Sequence, residues 1–335
     1  MGLINNVLNA VNDNAYSILV GVQRFSLLYA TLYIPLAFRE LTYLWVSLGY
    51  ASLAIGGLIG YLFGFKKWFI VPTVILSVLT LLFKQALVPL LAFLGALHSV
   101  IVPNAYSLFG NRGVAKSYTA SSVAYLVSGL VIYFTKTPVP LLATILLALL
   151  PPINREAKEV TRYMVKFIVN LDFLSIIPYT IATFIVGGLY TIYLSTIPNF
   201  GNYGRLILAL SAVLMGILRW ISDRYVDNAL WVSVALTGVA FVIYTIYPSI
   251  VTALIFIAPY SLVYPLVTMT AGRGSKDPVT SINAAFAGTS TGESIMPLFF
   301  HYNKYLVLAL SAMLVILPLL TKLQREGRRL SVLIK

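Results

Sequence analysis

Three ionisable side chains interrupt otherwise apolar stretches: Arg24 in AYSILVGVQRFSLLYATLY, His98 in LLAFLGALHSVIV and Glu293 in TSTGESIMPLFF. In hydrocarbon such a group costs roughly 2.5–3.5 kcal/mol on insertion scales, so it is kept where it binds a solute, carries a proton or pairs with another charge. Arg24 offers a fixed cation to a carboxylate or phosphate, or one half of a structural ion pair whose other half is Glu293. Thr289, Ser290, Thr291 and Gly292 precede Glu293 and make that stretch polar enough to line water, so Glu293 is the candidate proton carrier. His98 has few polar neighbours in sequence. It reads as a direct participant or as a hydrogen bond between helices.

The elements that must position these groups follow from composition. Of 335 residues, 59% are hydrophobic and 10% charged, against roughly 25% charged in a soluble domain. The mean hydropathy of +0.91 leaves no room for a large soluble domain. Breaks at charges, Pro, Gly and Asn cut the chain into segments of roughly 20 apolar residues, the length of a membrane-spanning helix. Spans are expected near 15–38, 42–64, 68–86, 88–109, 118–135, 138–153, 171–195, 203–222, 229–248, 250–270, 280–300 and 304–322. The fifth and sixth are short and separated only by Thr135-Lys136-Thr137. The fold class is therefore an all-α membrane protein with about twelve transmembrane helices. Leu3, Ile4, Val7, Leu8 and Val11 recur at helical spacing ahead of the first span and suggest a short interfacial helix.

Helical rise then fixes depth: Arg24 lies about 12 Å from the inner end of its span, Glu293 roughly 18 Å in, and His98 about 14 Å from the outer end of its own. All three sit near the midplane.

Charge sets the orientation. The net charge of +13 is no nucleic-acid footprint, because the basic residues stand singly or in pairs between apolar runs. With the N-terminus inside, seventeen of the 23 basic residues fall on inner segments and five, Arg39, Lys84, Lys136, Arg205 and Lys304, on outer ones. That asymmetry places both termini in the cytoplasm and the chain in the cell membrane. The absence of cysteine excludes disulfides, thiolate metal sites and cysteine nucleophiles. No HExxH-like ligand set or nucleophile–base pair is present, so no enzyme activity, metal or cofactor is expected. A monomer is expected, with a small-molecule solute and the lipid bilayer as partners.

The polar connection 154–170 carries Arg155, Lys158, Arg162 and Lys166 on one helical face and Val160, Met164 and Phe167 on the other. It reads as a cytoplasmic linker helix joining an N-terminal six-helix bundle (1–153) to a C-terminal one (171–322), with a basic tail over 323–335. Two loops repeat across it. Gly57, Tyr61, Gly64, Lys66 and Lys67 follow the second span, and Arg219, Asp223 and Arg224 follow the eighth; Tyr61 and Asp223 are 162 residues apart. Pro103 and Pro265, also 162 apart, lead into Gly110-Asn-Arg112-Gly113 and Gly272-Arg273-Gly274. Six spans separate each pair, so the halves run parallel, a transporter architecture.

In these loops the chain resembles the major facilitator superfamily, which places a Gly-x-x-x-Asp-Arg-x-Gly-Arg-type motif between spans two and three and a weaker copy between spans eight and nine. Ser222-Asp223-Arg224 is intact here, with Arg219 for the leading Gly. The first copy keeps Gly57, Gly64, Lys66 and Lys67 but has Tyr61 where the acid belongs. The resemblance implies a secondary active transporter working by alternating access, with Asp223 and Arg224 in a gating contact. It also implies a central cavity lined by spans one, four, seven and ten. Tyr179, in the stripe Asp172, Ser175, Tyr179 and Thr183, and Tyr260 and Tyr264, one turn apart beside Pro259 and Pro265, would then face the solute. The alternative for these tyrosines is packing or an interfacial belt. The alternative for the whole is a non-transporting membrane subunit, a scaffold or a haem-bearing one.

Single cysteines at Lys136 and Lys322 should be labelled by an impermeant thiol reagent from opposite sides of the membrane; labelling from one side would break the span count.

Overall fold

Apolar runs closed off by turn residues become eleven α-helices among the described residues, which are 2–63, 69–148, 173–222, 229–273 and 278–333 of this computed structural model. Side chains at 2–17, 99–119, 278–287 and 322–333, and at a few helix ends, fall outside that description. In chain order the helices are α1 Gly2–Ala37, α2 Thr42–Phe63, α3 Ile70–Leu79, α4 Leu87–Phe134, α5 Ile145–Ala148, α6 Phe173–Thr196, α7 Gly204–Ser222, α8 Ala229–Ile246, α9 Ile250–Arg273, α10 Pro278–Tyr302 and α11 Lys304–Leu333. Two 3₁₀ stretches, Val139–Thr144 and Ile197–Tyr203, join α4 to α5 and α6 to α7. No strand occurs among the described residues.

The surface identifies the solvent. Leu82, Phe134, Val251 and Leu319 expose 75, 76, 65 and 62% of their area, a display that water would not tolerate but lipid would. On α3 the sides are inverted relative to a soluble helix. Thr73, Ser77 and Thr80 are buried while Val71, Ile75 and Val78 face out, and Thr144 Oγ1 donates to Ser77 Oγ at 2.9 Å to tie the next segment on. Four stretches are long and apolar enough to cross a membrane: Thr42–Gly60, Ile176–Ile221, Ala229–Ile246 and Ile250–Val267. The second of these is a hairpin of α6 and α7. Its turn needs Gly201, which takes φ +54°, a left-handed conformation in which a Cβ would clash.

Short caps close the other hairpins. Ser249 and Thr252 exchange side chain-to-backbone hydrogen bonds of 2.9 and 3.1 Å at the start of α9. Asn303 Oδ1 accepts from the Tyr305 and Leu306 amides at 3.1 and 3.3 Å at the start of α11. Both satisfy first-turn N–H groups that lipid could not.

The helix count differs from the expected twelve for identifiable reasons. The fourth and fifth spans form one run of helical hydrogen bonding, Leu87–Phe134, of 48 residues. A straight helix of that length would reach about 72 Å. Yet Lys84 Nζ donates to Ala37 O at 3.2 Å, before the run, and Tyr29 Oη donates to Thr137 O at 2.8 Å, after it. Ala37 and Tyr29 are about 12 Å apart along α1. The run therefore doubles back between His98 and Ala120, a stretch that contains Pro103, Gly110 and Gly113, and supplies two limbs where two spans were expected. The third span is shorter than expected, ten helical residues rather than 68–86. The sixth is a 3₁₀ stretch followed by four helical residues. The interfacial segment at the N-terminus is continuous with α1, and α11 runs on to Leu333, through most of the expected tail. The linker 154–170 lies outside the described residues.

Glycine seams set the helix spacing. A Cβ on Gly56 would collide with the Ala92 backbone, which brings α2 against the first limb of α4. A Cβ on Gly288 would meet the Thr180 backbone and one on Gly292 the Phe184 backbone, so α6 and α10 run side by side at backbone distance. Small residues at such seams are how helices associate where lipid removes the hydrophobic drive. Across the halves, α2 packs on α10 and the second limb of α4 on α7.

Gly292→Ala should lower the melting temperature in detergent, because backbone atoms cannot step aside and overpacking costs about 1–3 kcal/mol. Gly21→Ala, with nothing within 4 Å of the new methyl, should leave it unchanged.

Candidate functional site

Glu293 sits on α10 where that helix meets α6, α9 and the N-terminal half, and it is 9% exposed. Thr289, one turn earlier, is 8% exposed, and its Oγ1 has no hydrogen-bond partner among the described residues. Opposite them on α6 is Gly187. A Cβ there would stand 3.0 Å from Thr289 Cγ2, 3.1 Å from Glu293 Cγ and 3.1 Å from Tyr264 Oη. Three polar side chains from two helices thus converge on one missing side chain.

The cation that acts on Glu293 is Arg219. It lies in the last turn of α7 and is 7% exposed. Its guanidinium carbon stands 4.3 Å from the ring centroid of Tyr125 and 5.7 Å from that of Tyr264. Both distances lie within cation–π range. Tyr125 belongs to α4, in the N-terminal half, so the contact crosses between the halves. Tyr50, on α2, crosses as well: it lies within electrostatic reach of Glu293 and bonds Thr31 on α1.

Stacked rings make the chamber wall. Tyr190 of α6 lies flat on Tyr260 of α9, centroids 4.6 Å apart and planes 9° apart, and Tyr260 meets Tyr264 edge-on at 5.4 Å. Behind them Tyr193 shares a 2.7 Å hydrogen bond with Ser211 of α7. Each phenol brings a large rigid body and one polar tip, which keeps the wall firm at a small entropic cost.

Arg24 and His98, from α1 and the first limb of α4, are neighbours in the N-terminal half, both half-buried, and the Arg24 charge is felt at His98. Gln23, fully buried, donates its Nε2 to Leu94 O at 3.0 Å and so joins the two helices at that level. Gln23 Oε1 and His98 Nδ1 are buried with no hydrogen-bond partner among the described residues. Tyr179 packs its ring on Trp231 of α8 at 5.4 Å. Asp223, Arg224, Gly64, Lys66 and Lys67 of the gating loops, and Asp172, lie outside the described residues, as does the side chain of Ser175. Gly57 lies on the α2–α4 seam, its added Cβ 3.9 Å from Gly95 O.

At the end expected to face outward the halves touch. Tyr43 at the start of α2 stacks on His301 at the end of α10, centroids 3.8 Å apart, and the turn Ile197–Tyr203 reaches α1.

Sequence reasoning missed Arg219, Tyr50, Tyr125, Tyr190 and Gly187. Arg219 had a usable signal. Leu208, Ser211, Ala212, Met215 and Arg219 recur at spacings of three and four and are all buried, so the inward stripe of α7 runs on into the residue counted as loop.

Searches against family models and against curated protein sequences find no match. Solved structures do match in fold. A crystal structure of tetrameric PepTSo2 aligns over 95% of this chain and 99% of its own at a TM-score of 0.67 and 13% identity. A POT family transporter in complex with a thioalcohol-conjugated peptide aligns over 94 and 96%, with TM-score 0.62 and 12% identity. A POT family transporter in complex with 5-aminolevulinic acid aligns over 93 and 95% at the same score and identity. The chain therefore shares the fold of these solved structures.

Arg219→Ala, by leaving Glu293 without its cation, should destabilise the protein by about 3–5 kcal/mol. Arg219→Gln combined with Glu293→Gln should recover most of that loss. The midpoints of SDS-induced unfolding for the two singles and the double give the coupling directly; additive losses would mean that the two side chains do not interact.

Proposed function

We propose that the protein is a secondary active transporter that carries a small solute by alternating access, with Glu293 as the carrier of a coupling proton. The observation that bears the proposal is the placement of a buried carboxylate and a buried guanidinium at the junction of two helical halves, with Tyr50 and Tyr125 supplied by one half and Arg219, Tyr190, Tyr264 and Glu293 by the other. A structural ion pair has no need to straddle the surface along which the halves would rock. The shared fold with transporters solved in complex with a conjugated peptide and with 5-aminolevulinic acid supports the same reading and suggests those molecules as first probes. Arg24 with His98, in the opposite half, is the proposed seat for an anionic group on the solute.

The proton's part follows from charge. Glu293 is flanked by Arg219, Tyr50, Tyr190 and Tyr264, with Tyr125 behind the guanidinium. When Glu293 is ionised, Arg219 is its counter-charge and holds α7 to α10 and, through Tyr125, to α4. When Glu293 takes up a proton, that attraction disappears while the guanidinium keeps its contact with the ring faces. The halves part more easily in the protonated state, which links proton binding to the conformational step. Asp223 and Arg224 are proposed as the inner-face gate on the strength of the loop motif.

Proteoliposomes carrying the purified chain should accumulate a dipeptide or 5-aminolevulinic acid when an inward proton gradient is imposed. Glu293→Gln should still exchange labelled for unlabelled solute but should no longer respond to the gradient. Gradient-driven uptake that survives Glu293→Gln would falsify the proton assignment; no flux of either probe in any arm would leave a non-transporting membrane subunit.

A further inference from the structure

The chemistry around Arg219 is that of a cation receptor. Two phenol faces, Tyr125 at 4.3 Å and Tyr264 at 5.7 Å, and one buried carboxylate, Glu293, surround a group that the chain itself provides. Ring faces hold guanidinium and ammonium groups by their quadrupole, more strongly where water is excluded. The carboxylate adds a formal charge. We propose that the space between Tyr125, Tyr264 and Glu293 is a seat for a small organic cation, a guanidinium or ammonium group, and that Arg219 occupies it as a tethered stand-in until such a cation displaces it.

Three features carry this. First, the seat is divided between the halves: Tyr125 stands on α4, while Tyr264 and Glu293 stand on α9 and α10. A ligand held there would bridge the moving parts, and so would its stand-in. Second, Arg219 hangs from the last turn of α7 on a long flexible stem, so the guanidinium can leave without unfolding the helix. Third, Thr289, one turn from the carboxylate, keeps a buried hydroxyl with no hydrogen-bond partner among the described residues.

The charge balance then dictates exchange. A buried Glu293 cannot stay ionised and alone. It is neutralised by Arg219, by a proton or by the incoming cation. When a cation M⁺ enters the protonated site, Glu293–COOH + M⁺ gives Glu293–COO⁻·M⁺ + H⁺: one proton leaves as one cation binds, and no other reactant is needed. The inference rests on the transport reading for its meaning in the cell, but the seat is testable without transport.

The test is equilibrium binding of radiolabelled guanidinium to the detergent-purified full chain, with urea as the uncharged isostere and acetate as the anion. Guanidinium should bind, protons should compete with it, and neither urea nor acetate should. Removing the tethered competitor in Arg219→Gln should tighten guanidinium about tenfold. Tyr125→Phe, which keeps the ring, should bind as the parent does, and Tyr125→Leu should bind about tenfold more weakly. Binding unchanged or weakened in Arg219→Gln, competition by acetate, or equal behaviour of Tyr125→Phe and Tyr125→Leu would each overturn the proposal. If Arg219→Gln does not purify folded, the two Tyr125 variants decide the matter with Arg219 in place. Guanidinium binding without flux in proteoliposomes would remove the transport reading and keep the seat. Dipeptide or 5-aminolevulinic acid flux that guanidinium does not inhibit would remove the seat and keep transport.

Discussion

A carboxylate buried among hydrocarbon and phenol rings must at every moment have either a proton or a positive partner, and the interior of this protein is arranged around that requirement. Glu293 is 9% exposed. Removing one partner of a buried ion pair costs about 3–5 kcal/mol, a large part of a domain's net stability. Arg219 is the partner in the state described. It comes from a different helix, and its far side rests on Tyr125 from the other half of the molecule. One electrostatic necessity therefore spans the junction between the two halves.

Glycine seams set how closely the helices pack. Within the halves, helices meet backbone to backbone: α6 with α10 through Gly288 and Gly292, and α2 with α4 through Gly56. Such seams have no side chains to rearrange and behave as rigid plates. Between the halves a glycine seam recurs, Gly129 of α4 against the Ala209 backbone and Gly216 of α7 against the Ser122 backbone, and side chains add to it: a stacked Tyr43 and His301, a guanidinium over Tyr125 and Tyr50 within electrostatic reach of Glu293.

Much of the fold was legible because the bilayer acts on residues one at a time. A lipid solvent penalises every exposed charge and every unpaired backbone group, so hydropathy, breaker residues and the positions of Arg and Lys record the spans directly. The segments near 42–64, 203–222, 229–248, 250–270 and 304–322 each contain a helix that starts within a few residues of its expected boundary. The third and sixth were misjudged in length for the same reason. Apolar residues that face lipid look alike whether they stand on a full helix or on a short one followed by turns. The reversal inside α4 was legible as a gap between two spans, although continuous helical hydrogen bonding over 87–134 was not.

The sequence by itself determined that Glu293, Arg24 and His98 are out of place in hydrocarbon, because that judgement needs only a residue and its neighbours in the chain. Only the tertiary structure decided the company they keep. Glu293 was expected beside Arg24 and is acted on by Arg219; Arg24 lies beside His98. Depth along a helix follows from counting residues, but direction does not. Which charge faces which is set by how each helix is rotated about its own axis, and that rotation is fixed by glycine seams between helices far apart in the chain, such as α6 with α10. The tyrosine wall is a second case. With 22 tyrosines in the sequence, no local pattern singles out Tyr50, Tyr125, Tyr190, Tyr260 and Tyr264, which gather from four helices only once the helices have packed.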